Sequence, residues 1–557
     1  MREHKLRKRF GFRLLSSTAT TIGVTTMIFV AIIILSVNFG PALVTALANQ
    51  ANNRLITPGW QAAQASLTAA QPIYKTNYTY YKLREGQNLQ WAAAHFGVSL
   101  TDLQALNPGQ AVWGTTIKVP PVQRSLAPFS AAETTTAHIT VSTTTAGALL
   151  LSNTFTNPTA YITVPLLMQL LQPYRAITQL GPKSFLIDQS IYIEGNIRTD
   201  ITSATVRKLY LLSNPDYHIT ALTFWDSEAL LSGITVSSYN TQSKSPDTSY
   251  EDGRSFLRAY GNARMDILHS TIAYLGMAKM RGTTGIPQAA RALLLGGETD
   301  GVSWGIADGS YGTNDTTGWV ENSSFTANYS GASTHGAQGM MWRNNLFMKN
   351  TAYGLDASNN SNNATIVDNH FLENGIDGFR ASSHSDYNII TNNESTDNKR
   401  NGFLLYNHSD RNVIANNTVV TNHNSFGISA SDLNTIKNNA SYNPQGSHVR
   451  ISAASTQNYV TGNTFYGGPR GIYVYGKDNG VEIAYNTFDA TPYQLITNGA
   501  NRVLFNGNQS NSLGYKLASS DRVVFGVNKL DAYIHIDLNP LQTATHNVTS
   551  TAVRHKS

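Results

Sequence analysis

Between Asn345 and Asn508 the chain repeats a four-residue pattern: W-R-N-N, I-V-D-N, I-T-N-N, I-A-N-N, I-K-N-N, V-T-G-N, I-A-Y-N and F-N-G-N. The closing asparagines are Asn345, Asn369, Asn393, Asn417, Asn439, Asn463, Asn486 and Asn508, at intervals of 24, 24, 24, 22, 24, 23 and 22 residues. A second register of the same period places glycine before an apolar residue at Gly354-Leu355, Gly378-Phe379, Gly402-Phe403, Gly427-Ile428 and Gly471-Ile472. Repeats of this length build solenoids. The leucine-rich consensus is missing, and the units show short alternating runs such as Asn412-Val413-Ile414-Ala415 between Asn, Gly and Ser turns, which read as strands. One unit is therefore one coil of a right-handed parallel β-helix. Coils stack at about 4.8 Å, so one asparagine per coil can donate to its neighbour on one side and accept from the other. The glycines serve the corners, where a Cβ would collide. The expected fold is mostly β, with one flat sheet offering a trough to a polymer.

The other regions divide the 557 residues further. Residues 1–48 pair a basic stub (Arg2, Lys5, Arg7, Lys8, Arg9 and Arg13) with an uncharged apolar stretch. That is either a single-pass transmembrane helix with a cytoplasmic N-terminus or a signal peptide cleaved after Ala48. In both cases the bulk of the chain is extracytoplasmic. Residues 49–76 read as a linker, 77–121 as a small βααβ unit, 122–137 as a second linker, 138–538 as the β-helix and 539–557 as a tail. Leu166 to Leu171 is the one short helix expected inside the solenoid region, a cap for its open end. Loops at Gln242 to Asp252 and Arg281 to Ile286 interrupt the stack.

There is no cysteine, which excludes disulfide staples, zinc-thiolate sites and thiol nucleophiles. The net charge of +6 sits largely in the first fifteen residues, so a nucleic-acid partner gains no support. No cofactor is expected. Asp308 and Asp315 offer oxygens for a calcium ion, but without a diagnostic ligand spacing.

Gly86-Gln87-Asn88-Leu89, Phe96-Gly97-Val98 and Leu106-Asn107-Pro108 together resemble a LysM module. The resemblance implies binding of a peptidoglycan-type glycan in a shallow groove lined by Gly86, Gln87, Asn88 and Asn107. Within the repeats, Arg254-Ser255-Phe256-Leu257, Thr317 to Phe325 and Tyr353-Gly354-Leu355-Asp356 resemble mannuronan (alginate) C5-epimerases in order and spacing. That resemblance implies a uronate polysaccharide as partner. It places the family's tyrosine on Tyr353, its aspartate on Asp356, its histidine on Ser358, its later acidic residue on Ser382 and its arginine on Arg400.

C5 inversion needs a cation on the sugar carboxylate, a base for the C5 proton and an acid on the opposite face. Serine cannot replace imidazole as a base near neutral pH without a partner to activate it. Counting from each glycine, Asp356, Arg380 and Leu404 form one outward column, and Ser358, Ser382 and Tyr406 another. Asp356 and Arg380 are expected to pair. His384 and His408 come two residues further on, and either imidazole is a candidate for the missing base or for glycan contact. Two readings stay open: a polysaccharide C5-epimerase or lyase-like enzyme, and a non-catalytic cell-wall or exopolysaccharide binder or adhesin on the same scaffold.

Overall fold

The computed structural model describes residues 78–530, apart from 84–86, 110, 112–113, 130–137, 154–158, 216, 279–299, 306–314, 512–513, 519 and 526–527. The expected membrane segment, the first linker, Gly86, Asp308, the loop at 281–286 and the tail lie outside these residues. Among the described residues, no helix is long and apolar enough to cross a membrane.

The solenoid strands form three long sheets of 16, 15 and 14 strands. Nearly all pair in parallel with the strand one coil away, as Leu355↔Phe379 and Phe379↔Phe403 do. One coil is Leu355–Ser358, Thr365–Val367 and His370–Leu372. Its inward residues, Leu355, Ile366 and Phe371, are buried, and Phe325, Phe347 and Phe371 stack with centroids 5.1 Å apart at each step. Each buried ring stabilises the stack by roughly 1.5–3 kcal/mol.

The repeating tetrad explains the bend between the second and third strands. Its third residue has positive φ in every coil, at Asn344, Asp368, Asn392, Asn416, Asn438, Gly462, Tyr485 and Gly507. Asn, Asp and Gly tolerate that conformation best, so Tyr485 is the exception. The fourth residue is the ladder asparagine: Asn369 Nδ2 donates to Asn393 Oδ1 at 3.0 Å, and Asn393 Nδ2 to Asn417 Oδ1 at 3.0 Å. The column runs from Asn345 to Asn528. Two further rails were not read from the sequence. One holds Asn350, Asn374, Asn398 and Asn422, and the other Asn388, Asn412, Asn434 and Asn458. Gly354 is required because a Cβ there would meet the Gly378 carbonyl oxygen at 2.4 Å.

The expected short helix spans Val164–Leu170 and buries Val164 and Leu167 at the end of the main core. Ahead of the solenoid, Thr79–Lys82 and Thr116–Val119 pair antiparallel around helices Leu89–His95 and Leu100–Leu106. This βααβ unit has its own core of Tyr81, Leu83, Phe96, Val98, Leu103, Ile117 and Val119. It is not loosely tethered. Buried Arg264 of the solenoid pairs with Asp266 and donates to the backbone oxygens of His95 and Arg124. His95 Nδ1 lies 3.2 Å from Glu228. The described part of the second linker is hydrogen-bonded to the solenoid: Val122 N donates to Gly339 O, Leu126 N to Asp266, and Phe129 N to Asp200.

Candidate functional site

The outward columns lie on the 15-stranded sheet in the expected register, Asp356↔Arg380↔Leu404 and Ser358↔Ser382↔Tyr406. Arg380 Nε donates to Asp356 Oδ1 at 2.8 Å, and a second bond joins its Nη2 to Asp356 Oδ2. Its Nη1 donates to Tyr353 Oη at 2.6 Å, and its guanidinium carbon lies 3.8 Å from the tyrosine ring centroid. Burial opposes the Arg380 charge, but Asp356 outweighs it and raises the guanidinium pKa. Burial likewise raises the Tyr353 phenol, with Arg380 pulling the other way, so Tyr353 holds its proton near neutral pH.

Arg400 pairs with Asp377 through Nε at 3.0 Å and Nη2 at 2.5 Å. Asp377 is fully buried, whereas 48% of the Arg400 side chain is exposed. Beyond Arg380 the sheet surface opens into a depression of about 360 Å³ lined by Arg380, Arg400, Leu404, Tyr406, Arg450 and neighbouring small residues, with no carboxylate in the lining. Tyr406 is exposed, and Arg450 lies over the Tyr475 ring with its guanidinium carbon 5.0 Å from the centroid. The depression offers guanidinium donors and an aromatic face.

Ser358 and Ser382 are both nearly buried. Ser358 Oγ lies 2.9 Å from Nδ1 of His335, a residue of the preceding coil that stands in register with it. His335 Nε2 lies 3.3 Å from Asp300 Oδ2. Sequence reasoning missed this imidazole, although the signal was present. Extending the glycine register back one coil to Gly331 puts His335 at the same offset as Ser358 and Ser382.

His384 and His408 stack face to face, centroids 5.1 Å apart, both exposed and both with positive φ at a corner. Asp386 and Asp410 form a side-chain-to-backbone rail beside them, Asp410 N donating to Asp386 Oδ1 at 2.7 Å. In the βααβ unit, Gln87 is buried and accepts from Tyr81 Oη. Asn88 caps its helix by accepting from Trp91 N. The Asn107 amide is engaged by Leu103 O and by both backbone polar atoms of Lys118. Of these three, Asn88 alone is exposed enough to meet a ligand without rearrangement of its amide.

This is a parallel β-helix with an arginine-lined, aromatic-edged trough on one sheet. Residues 302–419 match the sequence model described as "Right handed beta helix region", and 382–517 match "Periplasmic copper-binding protein (NosD)". No curated protein matches. Among solved structures, the chain is similar to the periplasmic alginate epimerase AlgG, with 14% identity, 87% of this chain and 99% of that chain covered, and a TM-score of 0.52. A mutant form of AlgG gives 16% identity, coverage of 74% and 99%, and a TM-score of 0.52. At such identities the likeness shows the fold. Among the described residues no three His, Cys, Asp or Glu converge as metal ligands.

Proposed function

We propose that the trough binds a carboxylate-bearing polysaccharide outside the cytoplasm. The observation that carries this is the depression flanked by Arg380, Arg400 and Arg450 with no acid in its lining. Guanidinium forks suit carboxylates, and Tyr406 offers a sugar ring an apolar face. Arg400 offers a ligand an accessible guanidinium, since 48% of its side chain is exposed although Asp377 holds its Nε and Nη2, and Arg450 is exposed beside it. The periplasmic, alginate-acting neighbours of the fold support the same substrate class and location. The βααβ unit adds a wall-glycan contact on this reading, through the edge at Asn88 with Gln87 and Asn107 shaping it.

A second reading, C5 epimerisation or β-elimination, is favoured by the Tyr353–Arg380–Asp356 cluster. Tyr353 would return the C5 proton, Arg380 and Arg400 would neutralise the carboxylate, and His384 would be the second proton carrier.

Full-length protein is to be titrated with polymannuronate and with neutral dextran at low and high salt. Polymannuronate should bind, weakening with salt as screening grows. Arg400→Ala should weaken it about tenfold, the loss of one charge-assisted contact. Equal affinity for dextran would sink the proposal. Deuterium uptake at C5 in heavy water, abolished by Tyr353→Phe, would establish the enzyme; binding without uptake would leave the binder.

A further inference from the structure

Asp300, His335 and Ser358 come from three successive coils and meet in one hydrogen-bonded line. The order of atoms decides what the line can do. Burial works against a charge on Asp300, yet its contact with His335 holds the carboxyl down at about 2, so it is ionised at neutral pH. A carboxylate facing Nε2 requires the ring proton there. Nδ1 then carries the lone pair, and it faces two donors, the Ser358 hydroxyl at 2.9 Å and the Asn359 amide at 3.4 Å. The Ser358 proton has a second acceptor in Thr334 O at 3.1 Å, but the imidazole is nearer and more basic. Nucleophile, base and orienting acid within hydrogen-bond reach are the recognised geometry of an activated serine, on whatever fold they occur.

The chain also contains a contrasting pair. Ser441 Oγ lies 2.6 Å from His448 Nδ1, but His448 Nε2 faces the Gly467 carbonyl, no carboxylate orients the ring, and both side chains point into the core. That pair is packing. His335 and Ser358 instead belong to an outward column that continues through Ser382 to Tyr406, a wall of the arginine-lined depression.

We propose that Ser358, His335 and Asp300 hydrolyse acyl esters carried on the hydroxyls of the glycan in the trough. The identity of the carrier rests on the preceding reading; the ester chemistry does not. Ser358 Oγ attacks the acyl carbon as its proton passes to His335 Nδ1. The ester C–O bond breaks, and the sugar oxygen leaves with that proton as a free hydroxyl. Water then attacks the acyl-serine, gives a proton to Nδ1, and the carboxylic acid departs as Ser358 regains its proton from the imidazole. Asp300 is a positioning residue.

The test uses full-length protein with p-nitrophenyl acetate, with O-acetylated polymannuronate, and with a fluorophosphonate probe read by peptide mass spectrometry. The expected result is acetate release from both substrates and a phosphonyl adduct on Ser358. Ser358→Ala should lose the adduct and at least about a thousandfold in rate. Asp300→Asn should cut the rate through the wrong tautomer and displace the pH profile, which a purely structural role would not do. No adduct and no release by folded wild type, or release that survives Ser358→Ala, overturns the proposal. Release from the small ester but not from the polymer upholds the serine chemistry and overturns the glycan as its carrier.

Discussion

Asparagine is used here for two properties at neighbouring positions, tolerance of left-handed backbone at the third residue of the tetrad and, at the fourth, an amide that both donates and accepts. Asn393 donates from Nδ2 to Ile366 O, Thr391 O and Asn417 Oδ1, while its own Oδ1 accepts from Asn369 N and Nδ2. Asn393→Ala should cost about 3 kcal/mol in equilibrium unfolding, because it leaves several buried partners unmet. Two titratable groups in the stack give opposite pH signatures. Asp478 continues a rail in which Ser361, Ser385, Ser409 and Ser431 each donate from the backbone N–H to the next coil's serine hydroxyl, accepting in turn from Ser455 N, and burial pushes its carboxyl up to about 7. The unfolded chain ionises near 4, so stability falls as pH rises from about 4 to about 7. Asp478→Asn should remove that fall from melting temperatures measured across the range. Burial lowers His448 to about 4, so its contribution is complete above its unfolded value and is lost as pH falls from about 6.5 toward 4. His448→Gln should flatten that limb. The shared outward register of Ser358 and Ser382 was readable from the repeat, whereas the place of Asp300 was not. Its bridge pairs it with Gly276 outside any recognisable repeat, and only the coordinates bring it to His335.

At the scale of elements, periodicity reported strand register well, since each side chain repeats its neighbour's environment one coil on. It could not report contacts without a repeat. Arg264 meets the βααβ unit at His95 and the segment after it at Arg124, across separations of 169 and 140 residues, through backbone oxygens that carry no sequence signature. The spacer at 122–129 looks like a linker by composition because its binding uses backbone N–H groups, with Asp200 and Asp266 as acceptors. Arg264→Ala should destabilise the protein by about 3–5 kcal/mol, since Asp266 is left buried without its cation. Hydrogen exchange should rise first at the close of helix Leu89–His95 and along residues 122–129. Protection unchanged there would mean the unit is held by other contacts.

At the scale of the whole molecule, the main core of the solenoid is a column of aromatic and aliphatic side chains running from Leu149 to Phe525. Stability in such a stack is close to a sum over neighbouring coils. Phe371→Ala should therefore cost about 3–5 kcal/mol and lose exchange protection mainly in the coils of Phe347 and Ser395. Uniform loss along the solenoid would contradict nearest-neighbour behaviour. The sequence alone determined the coil, its register, the asparagine column and the outward residues, because a periodic structure must write its period into the chain. Tertiary structure decided which imidazole meets Ser358, how Arg380 is shared between Asp356 and Tyr353, and where the βααβ unit docks. Those depend on distances between side chains from different coils or distant segments, and spacing along a chain does not encode them.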